Sequence, residues 1–206
     1  MLLPSVKPGP EQRPNLNDLA HFRQPATLRD GTPVLIRAIR PDDISKVVTA
    51  FHQLAPESVY TRFFSFKKEL SQEELTALGA TDFIHAVVLV VARQQEGKEV
   101  LIGGGSYHVL NNNGKVPQCA ELAFTIEEDY QCQGLSGQLL AILSTFARHQ
   151  GIQQFEADVL DNNTPMLKVF EHSGLAMYKT RNRNIFKVVL ELGQNKNNDS
   201  NESTQS

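Results

Sequence analysis

A chain of 206 residues with 40% hydrophobic side chains suits one packed domain with tails. Its net charge of −3 excludes a broadly basic nucleic-acid-binding surface. No stretch approaches the ~20 consecutive apolar residues of a membrane-spanning helix.

The first 24 residues carry Pro4, Pro8, Pro10 and Pro14 and read as an extended arm, with a short helical turn near Asn17–Phe22. Val34–Ile39 alternates and is rich in β-branched residues, so it predicts a strand. A helix follows from "RPDDISKVVTAFHQL", where Ile44, Val47, Val48 and Phe51 share one face. "PESVYTRFF" predicts a second short helix. "SQEELTALG" predicts a third, with Ser71 as N-cap, Glu74 completing a capping box and Gly79 near its end. The unbroken apolar run Ala86–Ala92 predicts a strand buried on both faces. "EGK" turns into the strand "EVLIGGGSYHVL", "NNNG" turns again, and "CAELAFTI" makes a third central strand. A helix, the strand "FEADVL", the helix "TPMLKVFEHSG" and two strands around "RNRN" complete the fold. After Leu192 the polar sequence predicts a disordered tail over 193–206. The folded domain is therefore expected over 25–192.

Tight turns imply antiparallel neighbours. The strand–helix–strand step from "AELAFTI" to "FEADVL" implies one parallel pair. The expected architecture is a mixed α/β (α+β) fold: a twisted sheet of about six to seven strands with helices on both faces.

Cys119 and Cys132 form no CxxC pair, and neither they nor the six scattered histidines show metal spacing, so no metal is expected. Unpaired thiols and a start without a long apolar segment predict a cytoplasmic protein.

The chemistry-bearing stretch is "DYQCQGLSGQLL", Asp129 to Leu140. Leu135, Leu139, Ile142, Leu143 and Phe146 form one apolar stripe, so a helix begins inside "GLSG". Its first N–H groups have no intrahelical partner and lie at the positive end of the helix dipole. Glycine and serine leave them uncovered, which suits a pyrophosphate. A simple connecting turn fits the same residues equally well.

Gln131-Cys132-Gln133-Gly134-Leu135-Ser136 resembles the Q/R-x-x-G-x-G/A signature of the GNAT superfamily of acyl-CoA N-acyltransferases. The resemblance runs from about Leu28 to Leu192. "LRDGTPVLIRAIRPDD" and "SVYTRFF" look in particular like the acetyltransferase domain of bacterial protein lysine acetyltransferases. Ser136 stands where that family has glycine or alanine. The resemblance implies acetyl-CoA as co-substrate, cradled by Gln131, Cys132, Gln133, Gly134, Leu135, Ser136 and Gly137. It also implies that Phe124 and Ile126 offer backbone groups to the acetyl and pantetheine portions, and that Asn163 bonds the pantetheine arm. The implied reaction is acetyl transfer to a primary amine, a protein lysine among the acceptors. A small-amine acetyltransferase and a non-catalytic acyl-CoA-binding module are the alternatives. No nucleic acid or membrane partner is implied.

Such a reaction must deprotonate its acceptor. A lysine-type amine has a pKa of ~10.4, so roughly one molecule in 2,500 is neutral at pH 7, a scarcity worth about 4.6 kcal/mol. On "AELAFTI", Glu121 shares a face with the small residues Ala123 and Thr125, opposite Ala120, Leu122, Phe124 and Ile126. On the residues alone it is either a surface glutamate or a general base; the resemblance implies the base. The Ile126 N–H is the implied oxyanion donor. Phe170 occupies the position of the family's tyrosine acid, and Tyr178 is the nearest substitute in sequence. Gly103–Gly105 lies within a strand and predicts a bulge or close packing, not a phosphate loop. Lys179, Arg181 and Arg183 predict a solvated turn.

Overall fold

The computed structural model describes residues 18–110 and 119–193. The expectations for residues 1–17, for the turn at 111–114 and for the tail at 194–206 lie outside the described residues. The strands are β1 (Arg23–Thr27), β2 (Pro33–Ala38), β3 (Ala86–Gln95), β4 (Lys98–Val109), β5 (Cys119–Ile126), β6 (Gln154–Leu160), β7 (Ala176–Asn182) and β8 (Ile185–Glu191). The helices are α1 (Ile44–Gln53), α2 (Pro56–Phe63), α3 (Gln72–Gly79), α4 (Leu135–His149) and α5 (Thr164–Glu171).

All eight strands form one sheet in the order β1-β2-β3-β4-β5-β6-β8-β7. Among the described residues, only β5 and β6 run parallel. The strand beyond the six or seven expected is β1, "RQPAT". It is polar and contains Pro25, so it lacks the alternation that marks a strand; an edge strand tolerates both. The packed fold also begins before Pro25. Leu19 and Phe22, assigned to the arm from sequence, are 6% and 8% exposed, and the Phe22 ring meets Phe146 edge-on at 5.0 Å.

One apolar layer lies under α4 and α5 and holds Leu139, Leu143, Phe146, Phe155 and Phe170. A smaller one, built on Ile39, Val88, Val90 and Leu101, lies under α1 and α3. The run Val87–Ala92 feeds both, which explains its continuous hydrophobicity. The triple glycine combines a bulge with close packing, as its place inside a strand suggested. The β3–β4 register shifts between Val91 and Ala92. A Cβ on Gly104 would fall 2.5 Å from the Leu89 carbonyl oxygen, and one on Gly105 2.8 Å from the Phe124 ring.

α1 is fastened to the sheet by an ion cluster that the sequence patterns did not reveal. Arg37 and Asp43 are both fully buried and pair through two hydrogen bonds, of 2.6 and 2.8 Å. Arg37 also donates to Glu99 (2.7 Å), which accepts from Lys46 (2.8 Å). Asp43 further accepts the Arg40 N–H at 2.8 Å. Burial alone would raise the Asp43 carboxyl; the Arg37 guanidinium and the Arg40 N–H outweigh it and hold it below the usual carboxylate range.

Candidate active site

α4 starts without a side-chain cap and without an acidic residue in its first turn. Gly134 is its N-cap at φ +89°, a left-handed conformation that glycine adopts without penalty. The predicted stripe is buried throughout: Leu135, Leu139, Ile142, Leu143 and Phe146 are at most 9% exposed. That burial fixes the helix axis and leaves its first turn uncovered. The first intrahelical bond runs from the Gln138 N–H to the Gly134 carbonyl, so the N–H groups of Leu135, Ser136 and Gly137 precede the ladder. A Cβ on Gly137 would meet nothing within 4 Å.

The side chains before the helix turn to structural tasks, so the loop presents backbone. Gln131 donates through Nε2 to the Ile126 carbonyl (3.0 Å) and to Ser58 Oγ (3.3 Å). Gln133 Oε1 accepts the Asp30 N–H at 3.2 Å. Cys132 is exposed, at φ +59°, and its carbonyl accepts from Arg29 Nη1 at 3.0 Å. Leu135 points into the core and contributes only its N–H.

The parallel pair supplies the second half of the site. β5 and β6 pair from Cys119–Gln154 only as far as Glu121–Glu156. The Leu110 N–H donates to the Cys119 carbonyl and the Glu127 N–H to the Ile102 carbonyl. Odd-numbered residues of β5 therefore direct backbone groups toward β4. Phe124 and Ile126 direct theirs into the opening between β5 and β6. Gln131 occupies the Ile126 carbonyl, leaving the N–H of both residues facing that opening. Here lies a cleft of about 70 Å³, lined by Arg62, Glu121, Phe124, Asp158, Asn163 and Phe170 among others. Asn163 caps α5 by accepting the Met166 N–H through Oδ1 at 3.2 Å.

Glu121 is exposed, as its small neighbours predicted. It stands directly opposite His108 in the β4–β5 register, so both side chains share one face. On this face a second cavity, of about 260 Å³, opens between the sheet and α1–α3. Phe51, Phe63, Leu78, Gly104, His108 and Thr125 contribute to its wall. Arg62 and Ala123 line both cavities and mark where they meet. Burial lowers the Arg62 guanidinium from its ordinary pKa, with Glu121 and Glu74 opposing the shift. Burial also keeps the His108 imidazole below its ordinary value, against the pull of Glu121. Glu127, on the cavity wall, is raised by burial and by its neighbours Asp129 and Glu128.

Sequence reasoning named Glu121 and the cradle but missed Arg62, His108 and Arg29. His108 becomes visible once the β4–β5 register is known. Arg29 bonds a residue 103 positions away, and no local pattern marks it. Phe170 is 1% exposed and 6.4 Å from the Phe124 ring, so the position expected for a proton donor is apolar. Tyr178 is 57% exposed on β7 and lines neither cavity. Of the three basic residues expected in a solvated turn, only Arg183 lies in the turn; Lys179 and Arg181 lie exposed on β7 and face Glu171 (3.5 Å) and Asp161 (2.5 Å). Among the described residues, no group of His, Cys, Asp or Glu is placed to hold a metal ion, and no helix is long and apolar enough to cross a membrane.

Residues 53–175 match the model of the acetyltransferase (GNAT) family. Acetyltransferase Pat of Mycolicibacterium smegmatis is 28% identical over 150 residues, 73% of this chain and 43% of that protein. The chain thus spans less than half the length of that relative. Acetyltransferase PA5475 of Pseudomonas aeruginosa is 32% identical over 128 residues, 62% of this chain and 67% of that protein. The crystal structure of the GNAT domain of S. lividans PAT superposes with a TM-score of 0.73 at 28% identity, covering 82% of this chain and 96% of the domain.

Proposed function

This chain belongs to the GNAT acetyltransferase family, and on that premise we propose that it transfers an acetyl group from acetyl-CoA to a primary amine, with a protein lysine as the acceptor. The observation that carries the reading is the arrangement around one opening. Uncovered helix-start donors stand beyond the end of β5, Glu121 lies at the last β5–β6 pair, and unpaired strand N–H groups lie between them.

The site fits the co-substrate. The α4 start has neither a carboxylate to repel a pyrophosphate nor side chains to block it, and Gly134 to Gly137 would present the donors. The N–H groups of Phe124 and Ile126 would hold the pantetheine arm and the thioester oxygen. Phe124 lines the same cleft as Glu121, so its N–H is the donor best placed for charge building on that oxygen. The Asn163 amide nitrogen would bond the pantetheine. Acetyl-CoA supplies the activated acyl group; this chain orients the amine and takes its proton. Glu121 is the base, approached from the cavity on its own side of the sheet. No acid is provided at Phe170, consistent with a thiolate that leaves without one.

A lysine suits the approach because its apolar stem can run through the cavity while its amine reaches the Ala123–Arg62 junction. The 260 Å³ volume also favours a second reading, in which a small amine with an apolar body fills the cavity whole. Incubation with labelled acetyl-CoA and matched panels of lysine peptides, folded proteins and arylalkyl or alkyl amines, read by mass spectrometry, separates the two.

Binding is tested at the cradle. Gly134→Val and Ser136→Leu are each expected to weaken acetyl-CoA by on the order of tenfold or more in calorimetry, since losing one charge-assisted bond costs roughly 1.5–3 kcal/mol. Gly134→Val carries added strain at φ +89°, whereas Ser136 lies within the helix and its variant keeps the melting temperature. Unchanged affinity in Ser136→Leu removes the α4 start from the site.

A further inference from the structure

We infer that Arg29, at the turn between β1 and β2, is a phosphate-binding residue of the coenzyme site, and that this hairpin forms the outer wall of the pyrophosphate cradle. The inference rests on the acetyl-CoA reading above.

Coenzyme A brings a diphosphate and a 3′-phosphate, hence several negative charges. The stretch that would cradle them is chemically one-sided. From Cys119 to Ala147 the chain contains no lysine or arginine, while Glu121, Glu127, Glu128 and Asp129 all fall within it. Helix-start N–H groups would have to hold a polyanion with no cation from their own stretch of chain. The compensating cation comes from elsewhere in the fold. Arg29 Nη1 donates to the Cys132 carbonyl at 3.0 Å, which fixes the guanidinium at the loop. Its Nε lies 3.7 Å from where a Cβ on Gly134 would sit. The guanidinium therefore stands at the N-cap of α4, where the uncovered donors begin.

The hairpin holds it there by further bonds. The Asp30 N–H donates to Gln133 Oε1 at 3.2 Å, and Gln138 Nε2 donates to the Thr27 carbonyl at 3.5 Å. The Asp30 carboxylate is occupied with the Thr32 N–H at 2.8 Å. Arg29 is exposed, and its bond to Cys132 uses only one of the five N–H donors of a guanidinium. The remaining fork suits a phosphate bidentately, which lysine at the same place would not match. Its position over Gly134 assigns it to the diphosphate.

The test measures acetyl-CoA and 3′-dephospho-acetyl-CoA binding by calorimetry for the wild type, Arg29→Gln and Arg23→Gln. Arg23 is a control that removes the same formal charge from the far end of β1, about 13 Å along the strand from Thr27. Arg29→Gln is expected to raise the acetyl-CoA Kd roughly 5- to 50-fold, and Arg23→Gln to leave it near the wild-type value. The deficit should be equal for both ligands if Arg29 holds the diphosphate. It should vanish for the dephospho ligand if Arg29 holds the 3′-phosphate. The first result supports the inference; the second overturns the diphosphate assignment and moves Arg29 to the 3′-phosphate. The deficit should also shrink as salt rises from about 0.1 M to 1 M, where the screening length falls from ~10 to ~3 Å. Equal affinity of Arg29→Gln and wild type overturns the inference. So does a deficit indifferent to salt, which marks Arg29 as a mere prop for the Cys132 carbonyl. A wild type that binds no acetyl-CoA instead defeats the functional reading itself, and this inference with it.

Discussion

Glu121→Gln is expected to lower kcat at pH 7 by about 10²- to 10⁴-fold, the range lost with a general base. Glutamine keeps the shape and the hydrogen-bonding capacity of the side chain, and Glu121 is exposed at the cleft, so the fold should be untouched. Acetyl-CoA affinity should barely move, because the carboxylate lies on the α1–α3 face of the sheet and the α4 start lies beyond the far end of β5. The loss should narrow as pH rises toward the ~10.4 of a lysine amine, where the acceptor arrives neutral and needs no base. A collapsed site would show no such recovery. His108 sets the floor of the effect. It faces Glu121 across the strand pair, and partial burial holds its imidazole below the ordinary value against the pull of Glu121, which makes it the nearest alternative proton acceptor. Full activity of Glu121→Gln near pH 7 would move the base to His108 or Glu127. A wild type that binds acetyl-CoA but acetylates no amine would leave a binding module.

The parts legible in the sequence are those written in short-range patterns. α4 was readable because five apolar residues repeat at helical spacing, and its uncovered start because glycine and serine fall where caps normally stand. Glu121 was readable as outward-facing because strand alternation sets it beside Ala123 and Thr125. α3 was readable from Ser71 and Glu74, whose reciprocal bonds form a capping box. What escaped depends on pairing between distant segments. β1 is a strand because β2 offers it a partner, not because "RQPAT" favours extension. Arg62 matters because α2 lays it across the junction of two cavities. Arg29 matters because a hairpin folds against a loop far along the chain. The cleft itself arises where two strands stop pairing, and nothing in either strand alone marks that point.

The ion cluster beneath α1 is the same kind of long-range feature, and it carries the largest expected effect on stability. Asp43→Ala should destabilise the fold by roughly 3–5 kcal/mol, because it leaves the Arg37 guanidinium buried with only Glu99 to balance it. For a chain of this length that is about 6–20 °C in melting temperature. The double variant Arg37→Met, Asp43→Leu is expected to recover most of the loss, since it removes both buried charges together. If the double variant is no more stable than Asp43→Ala, the cost lies in lost packing or in the lost bond to the Arg40 N–H, not in the unpaired cation. The pH dependence has a definite sign. Asp43 and Glu99 are both held below their ordinary carboxylate values, Glu99 chiefly by Lys46 and then by Arg37. Their contribution is therefore fully present above the unfolded-state values near pH 4 and is lost as pH falls through the lower folded values. In chemical denaturation at stepped pH, wild-type stability should drop below about pH 4, and Asp43→Ala should show a shallower drop because one of the two carboxylates is already gone. Equal acid slopes in the two proteins would place the titrating groups elsewhere in the molecule.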